Sequence, residues 1–295
     1  MPPPVVVITG ASSGVGVSTA LAFAERGYAV VLTSRSEKRL RTVASQCRAA
    51  GAASALPVVT DVRDEAAVQA LFIQATSVHG SVDVVVHTAT VMAYGKLEKL
   101  PPELFSGAVN TAILGTFHVA RSALAEFRHQ RRGTLVVVNS LLGQVAVPEM
   151  GAYVTGKWGQ AGLIRVLQQE TRDEPAIKVC SVVPGGVNTP IYSLAANVTG
   201  RSPRPPIPVD PPERIAAAVL RCVDKPRPRV SVGIANPVII LGFRLFPRLY
   251  DALVSPLLHF GGLTSKPTEP SPGNVVEPTP EGEAEHGPWS RRLIP

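Results

Sequence analysis

The chain has 295 residues, of which 45% are hydrophobic and 17% are charged, and its net charge is +7. This length can bury a large core, and the three cysteines form no CxxC motif or Cys/His cluster, which excludes a metal centre and a disulfide framework. Residues 264–295 carry −2 and the remaining body +9, but no basic motif is interleaved with aromatic residues, so no nucleic-acid partner is expected.

The first predicted elements are a strand, a glycine-rich turn and a helix. An apolar run at residues 5–9 is followed by the turn and by an amphipathic pattern that ends near Gly27. The turn consists of Gly10, Ala11, Ser12, Ser13, Gly14, Val15 and Gly16. Glycines let a backbone approach a pyrophosphate closely, and a helix N-terminus offers free N–H groups, so this segment predicts a dinucleotide-binding loop.

The end of the second predicted strand indicates which dinucleotide binds. A carboxylate at this place would bind a ribose 2′-hydroxyl, whereas this chain has Ser34 and Arg35. Two further cations, Lys38 and Arg39, follow one turn later. Cations favour a 2′-phosphate, so the sequence predicts NADP rather than NAD. In the alternative, the cations belong to the solvated first turn of a helix over residues 36–50, although Arg35 precedes that helix.

The rest of the chain alternates between strands and helices at short spacing. Strands are predicted at residues 28–34, 55–59, 82–86, 134–139 and 177–183, and helices at residues 36–50, 64–79, 101–127 and 151–172. This alternation is typical of an α/β fold with a Rossmann-like, doubly wound parallel sheet, here in a single domain over residues 1–235. A Pro- and Gly-rich loop over residues 184–212 is predicted to be a substrate lid. Its Ile191, Tyr192 and Leu194 indicate a hydrophobic pocket.

Tyr153 and Lys157 predict chemistry because they lie four residues apart, on one face of a helix. A neighbouring positive charge favours the phenolate form of a tyrosine, so the pair would act as acid or base near neutral pH. Ser140, at the end of the strand over residues 134–139, would hydrogen-bond the same reacting oxygen. In the alternative, the Tyr–Lys pair is an idle feature of a surface helix.

Together these motifs resemble the classical short-chain dehydrogenase/reductase family over residues 5–235. The resemblance implies an NADP-dependent oxidoreductase that interconverts a carbonyl and a secondary alcohol on an apolar small molecule. It implies that Tyr153 transfers the proton and that Ser140 orients and polarises the reacting oxygen. It also implies that Lys157 lowers the pKa of Tyr153 and holds the nicotinamide ribose, while NADPH supplies the hydride.

The cofactor contacts follow from the same resemblance. Asp61 and Val62 would contact the adenine, and the segment from Pro184 to Thr189 would lie near the nicotinamide. The full set of cofactor-binding residues implied in this way is Gly10, Ser12, Ser13, Gly14, Val15, Gly16, Ser34, Arg35, Asp61, Val62, Ala89, Tyr153, Lys157, Pro184, Gly185, Val187 and Thr189.

Two departures from the family pattern change what is expected. Residues 87–90 read His-Thr-Ala-Thr where the family usually has Asn-Asn-Ala-Gly, which predicts altered cofactor affinity, with His87 as a hydrogen-bonded structural residue. Ala112 takes the place of an Asn that helps a relay water reach the Lys, while Asn110 lies two residues earlier and would face away. Slower catalysis is therefore expected. The alternative is a catalytically weak NADP-binding or scaffold protein of the same fold.

Residues 236–263 form an apolar C-terminal extension that is predicted to be helical. Charges and prolines interrupt its apolar run before about 20 residues accumulate, which favours broken amphipathic helices over a membrane span. The interrupting residues are Arg244, Pro247, Arg248 and Pro256. The helices are expected to pack on the protein, over the substrate cleft or at a dimer interface, with contact between residues 237–263 and an anionic membrane as the alternative.

The two ends of the chain give predictions about disorder and about location. The Pro- and Glu-rich residues 264–295 are predicted to be disordered. The N-terminus begins Met-Pro-Pro-Pro and enters a strand without a basic or long apolar segment. We therefore expect a cytoplasmic protein that forms homo-oligomers and touches a membrane only through its extension.

Overall fold

A parallel sheet forms the centre of the molecule in the computed structural model, which describes residues 2–289. Its strands are β1 Val5–Thr9, β2 Ala29–Ser34, β3 Ser54–Val59, β4 Val84–His87, β5 Gly133–Val138, β6 Ile177–Pro184 and β7 Arg229–Val232. Among the described residues these seven strands lie in the order β3-β2-β1-β4-β5-β6-β7, and every pair of neighbours is parallel. This order confirms the predicted α/β fold with a Rossmann-like, doubly wound sheet.

Helices cover both faces of the sheet because side chains alternate along each strand. The helices are α1 Gly14–Ala24, α2 Glu37–Ala49, α3 Glu65–His79, α4 Pro102–Ala112, α5 Leu114–Gln130, α6 Gly151–Glu170, α7 Pro212–Asp224, α8 Asn236–Leu245 and α9 Pro247–Leu257. In β1, Val6 and Ile8 pack in the layer that contains α1, α2 and α7. Val5 and Val7 of the same strand pack against α3, α5 and α6.

The strand order reverses between β1 and β4, and this reversal positions the site. Thr9 at the end of β1 pairs with His87 at the end of β4. The helix that follows β1 covers one face of the sheet, and the helices that follow β4 lie on the other side. A crevice opens at the carboxyl ends of the strands where neighbouring connections diverge in this way.

The single long helix predicted over residues 101–127 is two helices, because the chain bends between Ala112 and Leu114. The carbonyl oxygen of Ala112 accepts hydrogen bonds from Thr116 Oγ1 at 2.6 Å and from Gln160 Nε2 at 3.4 Å. Side-chain donors at a helical carbonyl compete with the main-chain N–H that continues the helix and bend it there. The bend brings this carbonyl to the side of α6.

The C-terminal extension consists of α8 and α9, followed by a π-helical turn at Leu258–Gly262. Pro247 is the first residue of α9, so the proline breaks the helical run, as the sequence indicates. Within α9 no side chain is fully buried, and in α8 only Asn236 is. No helix in residues 2–289 combines the length and the apolar character that a membrane crossing requires.

Residues 264–289 lie against the domain, which differs from the disorder predicted for residues 264–295. Leu263–Pro267 pairs antiparallel with Arg201–Pro203, and the Val275 side chain is 0% exposed. Composition indicates disorder when a segment cannot bury apolar area. Here main-chain hydrogen bonds to distant parts of the domain hold the segment instead. Residues 290–295 lie outside the described residues.

Candidate active site

A cavity of about 920 Å³ runs along the carboxyl ends of the strands, from the glycine-rich turn to α6 and the extension. Each residue that the sequence indicates for cofactor binding or catalysis lines this cavity, including Gly10 and Arg35 at one end and Ser140, Tyr153 and Lys157 at the other. Its volume lies in the range of small-molecule and cofactor sites. The structure thus brings the two groups of residues together in one space.

The glycine-rich turn has the shape of a phosphate cradle. Gly10 and Gly14 have positive φ angles of 68° and 53°, a region that favours glycine. A Cβ atom on Gly16 would lie 2.0 Å from the carbonyl oxygen of Gly10, so only glycine allows this close approach. Helix α1 begins at Gly14 without a side-chain cap. An anion in the cavity would therefore meet N–H groups in the first turn of α1. The glycine-rich turn thus fits a pyrophosphate.

The turn after β4 packs on this cradle and is held by Thr9. Thr9 Oγ1 lies 2.8 Å from His87 Nδ1, and Thr88 Oγ1 donates to the carbonyl oxygen of Thr9 at 2.7 Å. A Cβ atom on Gly10 would lie 2.8 Å from the nitrogen of Ala89, so the two turns touch. Burial, with a smaller effect of Lys157, lowers the pKa of His87 to about 3. His87 is thus a neutral, hydrogen-bonded structural residue rather than an acid or base.

The catalytic candidates are held together where β5 ends beside α6. Asn139 accepts a hydrogen bond from the N–H of Ser140 at 2.6 Å and donates to the carbonyl oxygen of Lys157 at 3.1 Å. The Ser140 hydroxyl lies against the phenol of Tyr153, and Lys157 Nζ lies 5.7 Å from the centre of the Tyr153 ring. Asn139 therefore fixes the strand end to the helix that carries the other two side chains.

The pKa values of this pair differ from what the family resemblance implies. Burial raises the pKa of Tyr153 to about 12, against a smaller lowering by Ser140. Burial also lowers the pKa of Lys157 to about 7. A lysine that is partly neutral near pH 7 stabilises a phenolate less than a fixed positive charge does. In this structure desolvation outweighs the lowering of the Tyr153 pKa that was expected from Lys157.

Gln160 is a part of the site that the sequence analysis missed. Lys157 Nζ donates to Gln160 Oε1 at 3.0 Å and to the carbonyl oxygen of Val138 at 3.2 Å. Gln160 Nε2 donates to Thr116 Oγ1 at 2.7 Å and reaches the carbonyl oxygen of Ala112 at 3.4 Å. The main chain at Ala112 is thus joined to Lys157 through Gln160. The only signal in the sequence is that Gln160 lies three residues after Lys157, on the same helix face.

The other end of the cavity has apolar and tyrosine walls. Tyr94 and Tyr192 are buried beside Tyr153, and burial together with the neighbouring tyrosines raises the pKa values of both. The C-terminal extension contributes Ile239, Phe246, Leu249, Tyr250, Leu253 and Leu258 to the lining. The extension therefore covers the apolar end of the cavity, which is one of the arrangements expected for it. Nothing in the sequence indicated that Tyr94 lines this cavity.

Arg35, the first of the cations predicted for a 2′-phosphate, lines the cavity near the glycine-rich turn and meets the C-terminal segment there, whereas Lys38 is exposed. Arg35 donates to the carbonyl oxygens of Asn274 at 2.5 Å and Val276 at 3.0 Å. Nearby, Asp61 pairs with Arg63 at 2.6 Å. Burial would raise the pKa of Asp61, but the hydrogen bonds from Arg63 outweigh it and the pKa is lowered. Asp61 is therefore a carboxylate held by Arg63.

Known proteins share this fold and these motifs. A family model described as short chain dehydrogenase matches residues 4–197. The uncharacterized oxidoreductase YxnA of Bacillus subtilis (strain 168) is 29% identical over 269 residues, which cover 90% of this chain and 75% of that protein. A 3-ketodihydrosphingosine reductase of Bacteroides thetaiotaomicron is 31% identical over 189 residues, which cover 64% of this chain and 66% of the relative.

A solved structure agrees with these sequence matches. The alcohol dehydrogenase from the archaeon Thermococcus sibiricus, complexed with 5-hydroxy-NADP, superposes with a TM-score of 0.67 at 28% identity, covering 78% of this chain and 95% of that one. The family match spans more than half of the chain and includes the glycine-rich turn, Ser140, Tyr153 and Lys157. The chain is therefore an oxidoreductase of the short-chain dehydrogenase family.

Proposed function

We propose that this oxidoreductase uses NADP to interconvert a carbonyl and a secondary alcohol on an apolar, lipid-like substrate. The observation that carries the proposal is the single cavity, which joins the glycine-rich turn and Arg35 at one end to Ser140, Tyr153 and Lys157 at the other. A dinucleotide along this cavity would place its nicotinamide beside Tyr153 and the apolar walls. The Thermococcus sibiricus alcohol dehydrogenase, which is complexed with 5-hydroxy-NADP, supports this choice of cofactor.

Different residues of the cavity would bind different parts of the cofactor. Glycines 10, 14 and 16 approach the pyrophosphate, Arg35 binds the 2′-phosphate and Lys157 holds the nicotinamide ribose. The bound cofactor supplies or accepts the hydride. Water is kept from that place by the walls of Tyr94, Tyr192 and the extension, which strengthens every hydrogen bond made there.

Side chains of the protein transfer the proton. The Ser140 hydroxyl donates to the carbonyl oxygen of the substrate and orients it, and Tyr153 gives that oxygen a proton from its phenol. The phenolate left on Tyr153 is stabilised by Ser140 and by the protonated form of Lys157. Gln160 and the carbonyl oxygen of Val138 hold the ammonium of Lys157, and the amide nitrogen of Gln160 continues the hydrogen-bonded path to the carbonyl oxygen of Ala112 in α4. In the oxidative direction the same groups act in reverse.

The extension supports a lipid-like substrate and contact with a membrane surface. Its inner side lines the cavity, while its outer side exposes Leu241 at 54% and Leu245 at 62% beside the exposed cations Arg244 and Arg248. Apolar residues flanked by arginines suit the interface of an anionic membrane. The similarity to a 3-ketodihydrosphingosine reductase supports the same substrate class. A cytoplasmic location, peripheral attachment and self-association belong to this proposal.

The test is a fluorescence titration of the purified protein with NADPH and NADH. NADPH is expected to bind more tightly, and Arg35→Ala is expected to weaken NADPH about tenfold while changing NADH by less than about threefold. Arg41→Ala is the matched control, since Arg41 is exposed on α2 and pairs with Glu37. Absence of binding by either dinucleotide would contradict the proposal and favour a scaffold protein. If NADPH binds more tightly, long-chain ketones and alcohols are screened as substrates with it.

A further inference from the structure

The last described residues cross the cofactor cavity from one end to the other. We call residues 268–289 the strap. Near the adenosine end, carbonyl oxygens of the strap accept hydrogen bonds from Arg35. Near the nicotinamide end, the N–H of Gly287 donates to the carbonyl oxygen of Asn188 at 3.2 Å. Beyond it, the Trp289 ring lies 5.5 Å from the ring of Tyr192. The strap thus follows the course proposed for the dinucleotide.

The strap presents oxygen atoms to the phosphate cradle. The carbonyl oxygen of Ala284 accepts hydrogen bonds from the N–H of Gly14 at 2.8 Å and from Ser13 Oγ at 3.0 Å. Glu285 Oε1 accepts from Ser18 Oγ at 2.7 Å. Hydroxyls and N–H groups at a helix N-terminus are the donors that a phosphate uses. In this conformation they are engaged by the chain itself.

Glu283 is the acidic residue of the strap that lines the cavity, beside Asn274. The hydroxyls of Ser36 and Ser12 and the positive charges of Arg39 and Arg35 act on its carboxylate, while both guanidinium groups donate to main-chain oxygens. Its Oε2 atom is buried and has no hydrogen-bond partner among residues 2–289. Hydroxyls and guanidinium groups are also the donors that bind a phosphate, so this end of the cavity suits an anionic group.

We propose that the strap is an autoinhibitory segment whose Glu283 carboxylate lies where the cofactor 2′-phosphate would bind, so that a dinucleotide binds only when the strap is displaced. The proposal rests on the proposed use of NADP. Ala284 occupies the phosphate cradle that NADP and NAD share, so the strap must leave before either dinucleotide binds. Burial raises the pKa of Glu283, and the hydroxyls and arginines oppose this shift. The strap therefore lowers the apparent affinity for both dinucleotides by the fraction of the protein in which it is displaced.

The first test compares three full-length proteins: wild type, Glu283→Gln and the control Glu281→Gln. Glu281 has the same charge and lies two residues earlier, but its side chain is exposed and does not line the cavity. Dissociation constants are measured for NADPH and NADH. Glu283→Gln removes the charge that Arg35 and Arg39 attract and so weakens the strap; it is expected to tighten NADPH and NADH alike, each about tenfold, with no change for Glu281→Gln. Unchanged or weaker NADPH binding by Glu283→Gln would overturn the inference.

The second test follows the strap itself. The sequence has two tryptophans, Trp158 and Trp289, so Trp158→Phe leaves a single fluorescent reporter in the strap. Adenosine 2′,5′-bisphosphate carries the 2′-phosphate without the nicotinamide, and 5′-AMP is its control. Saturating bisphosphate is expected to raise acrylamide quenching of Trp289 at least about twofold as the ring leaves Tyr192. Bisphosphate binding with unchanged or reduced quenching would show a strap that stays over the ligand, and would overturn the inference.

The two proposals fail in different ways. Wild-type protein that binds NADPH with the same affinity as Glu283→Gln overturns the role of Glu283 and leaves the proposed use of NADP in place. Failure of wild type, Glu281→Gln and Glu283→Gln to bind either dinucleotide overturns the proposed function and, with it, this inference.

Discussion

Lys157 Nζ donates a hydrogen bond to Gln160 Oε1 at 3.0 Å inside a fully buried part of α6. The orientation of Gln160 is fixed, because its amide nitrogen donates to Thr116 Oγ1. A neutral amide oxygen compensates only part of the cost of burying an ammonium group, and the pKa of Lys157 is lowered to about 7. The protonation state of Lys157 near neutral pH is therefore sensitive to the charge at position 160.

Gln160→Glu tests this relationship through the pH profile of ketone reduction. A carboxylate next to Lys157 raises its pKa, so the loss of kcat/KM above about pH 7 is expected to move up by at least about one pH unit, since kcat/KM reports the free enzyme. Gln169→Glu is the control, because Gln169 lies on the same helix with an exposed side chain. If kcat/KM of Gln160→Glu still falls above about pH 7, Lys157 does not control this loss of activity.

Tyr153→Phe separates proton transfer from cofactor binding. The phenylalanine keeps the ring that packs in the cavity and removes the hydroxyl beside Ser140. Turnover is expected to fall by about 10³-fold, while the dissociation constant of NADPH changes by less than about threefold. Tyr192→Phe is the control, as Tyr192 is also buried in this cluster. Retained turnover in Tyr153→Phe would assign the proton to another group.

Local motifs in the sequence predicted residues that the fold brings together at one edge of the sheet. Gly10, Arg35, Ser140 and Tyr153 are separated by many residues but each follows a strand or lies near its end, and all of them line one cavity. The parallel order of the strands is sufficient to bring such positions together. For this part of the site no side-chain detail was needed.

The parts that the sequence did not predict depend on contacts between distant segments. Gln160 reaches Ala112 only because the chain bends between α4 and α5, which a continuous helical pattern does not reveal. Glu283 lies in a segment whose composition indicates disorder, yet hydrogen bonds to Gly14 and Arg35, over 200 residues away, hold the strap. Composition and periodicity describe each segment by itself, so neither predicts which distant segment it will contact.

His87→Asn is expected to make the protein less sensitive to acid. The folded pKa of His87 is about 3, below its ordinary value of 6.5. The unfolded chain therefore binds an extra proton between these values, and stability is lost as the pH falls from 6.5 toward 3. By this linkage wild type loses about 3 kcal/mol between pH 7.5 and 4.5 through His87, and His87→Asn removes that part of the loss.

Urea unfolding at the two pH values measures this difference. Any packing cost of His87→Asn shifts both values of the unfolding free energy alike, so the difference between them reports the titration alone. His129→Asn is the control, since His129 is exposed at the end of α5. An equal acid sensitivity of wild type and His87→Asn would mean that another group controls acid unfolding.

The outer side of the extension should control partition onto anionic vesicles. Leu241→Glu with Leu245→Glu places two charges on a side that exposes these leucines but does not use them to line the cavity. Burying each leucine in the interface contributes about 1.5 kcal/mol or more, so vesicle sedimentation is expected to fall about 100-fold or more. The matched control is Ile73→Glu with Val78→Glu, since these residues are 69% and 56% exposed on α3. Equal sedimentation of the two double variants would contradict attachment through the extension, because it would place the membrane contact elsewhere or nowhere on the protein.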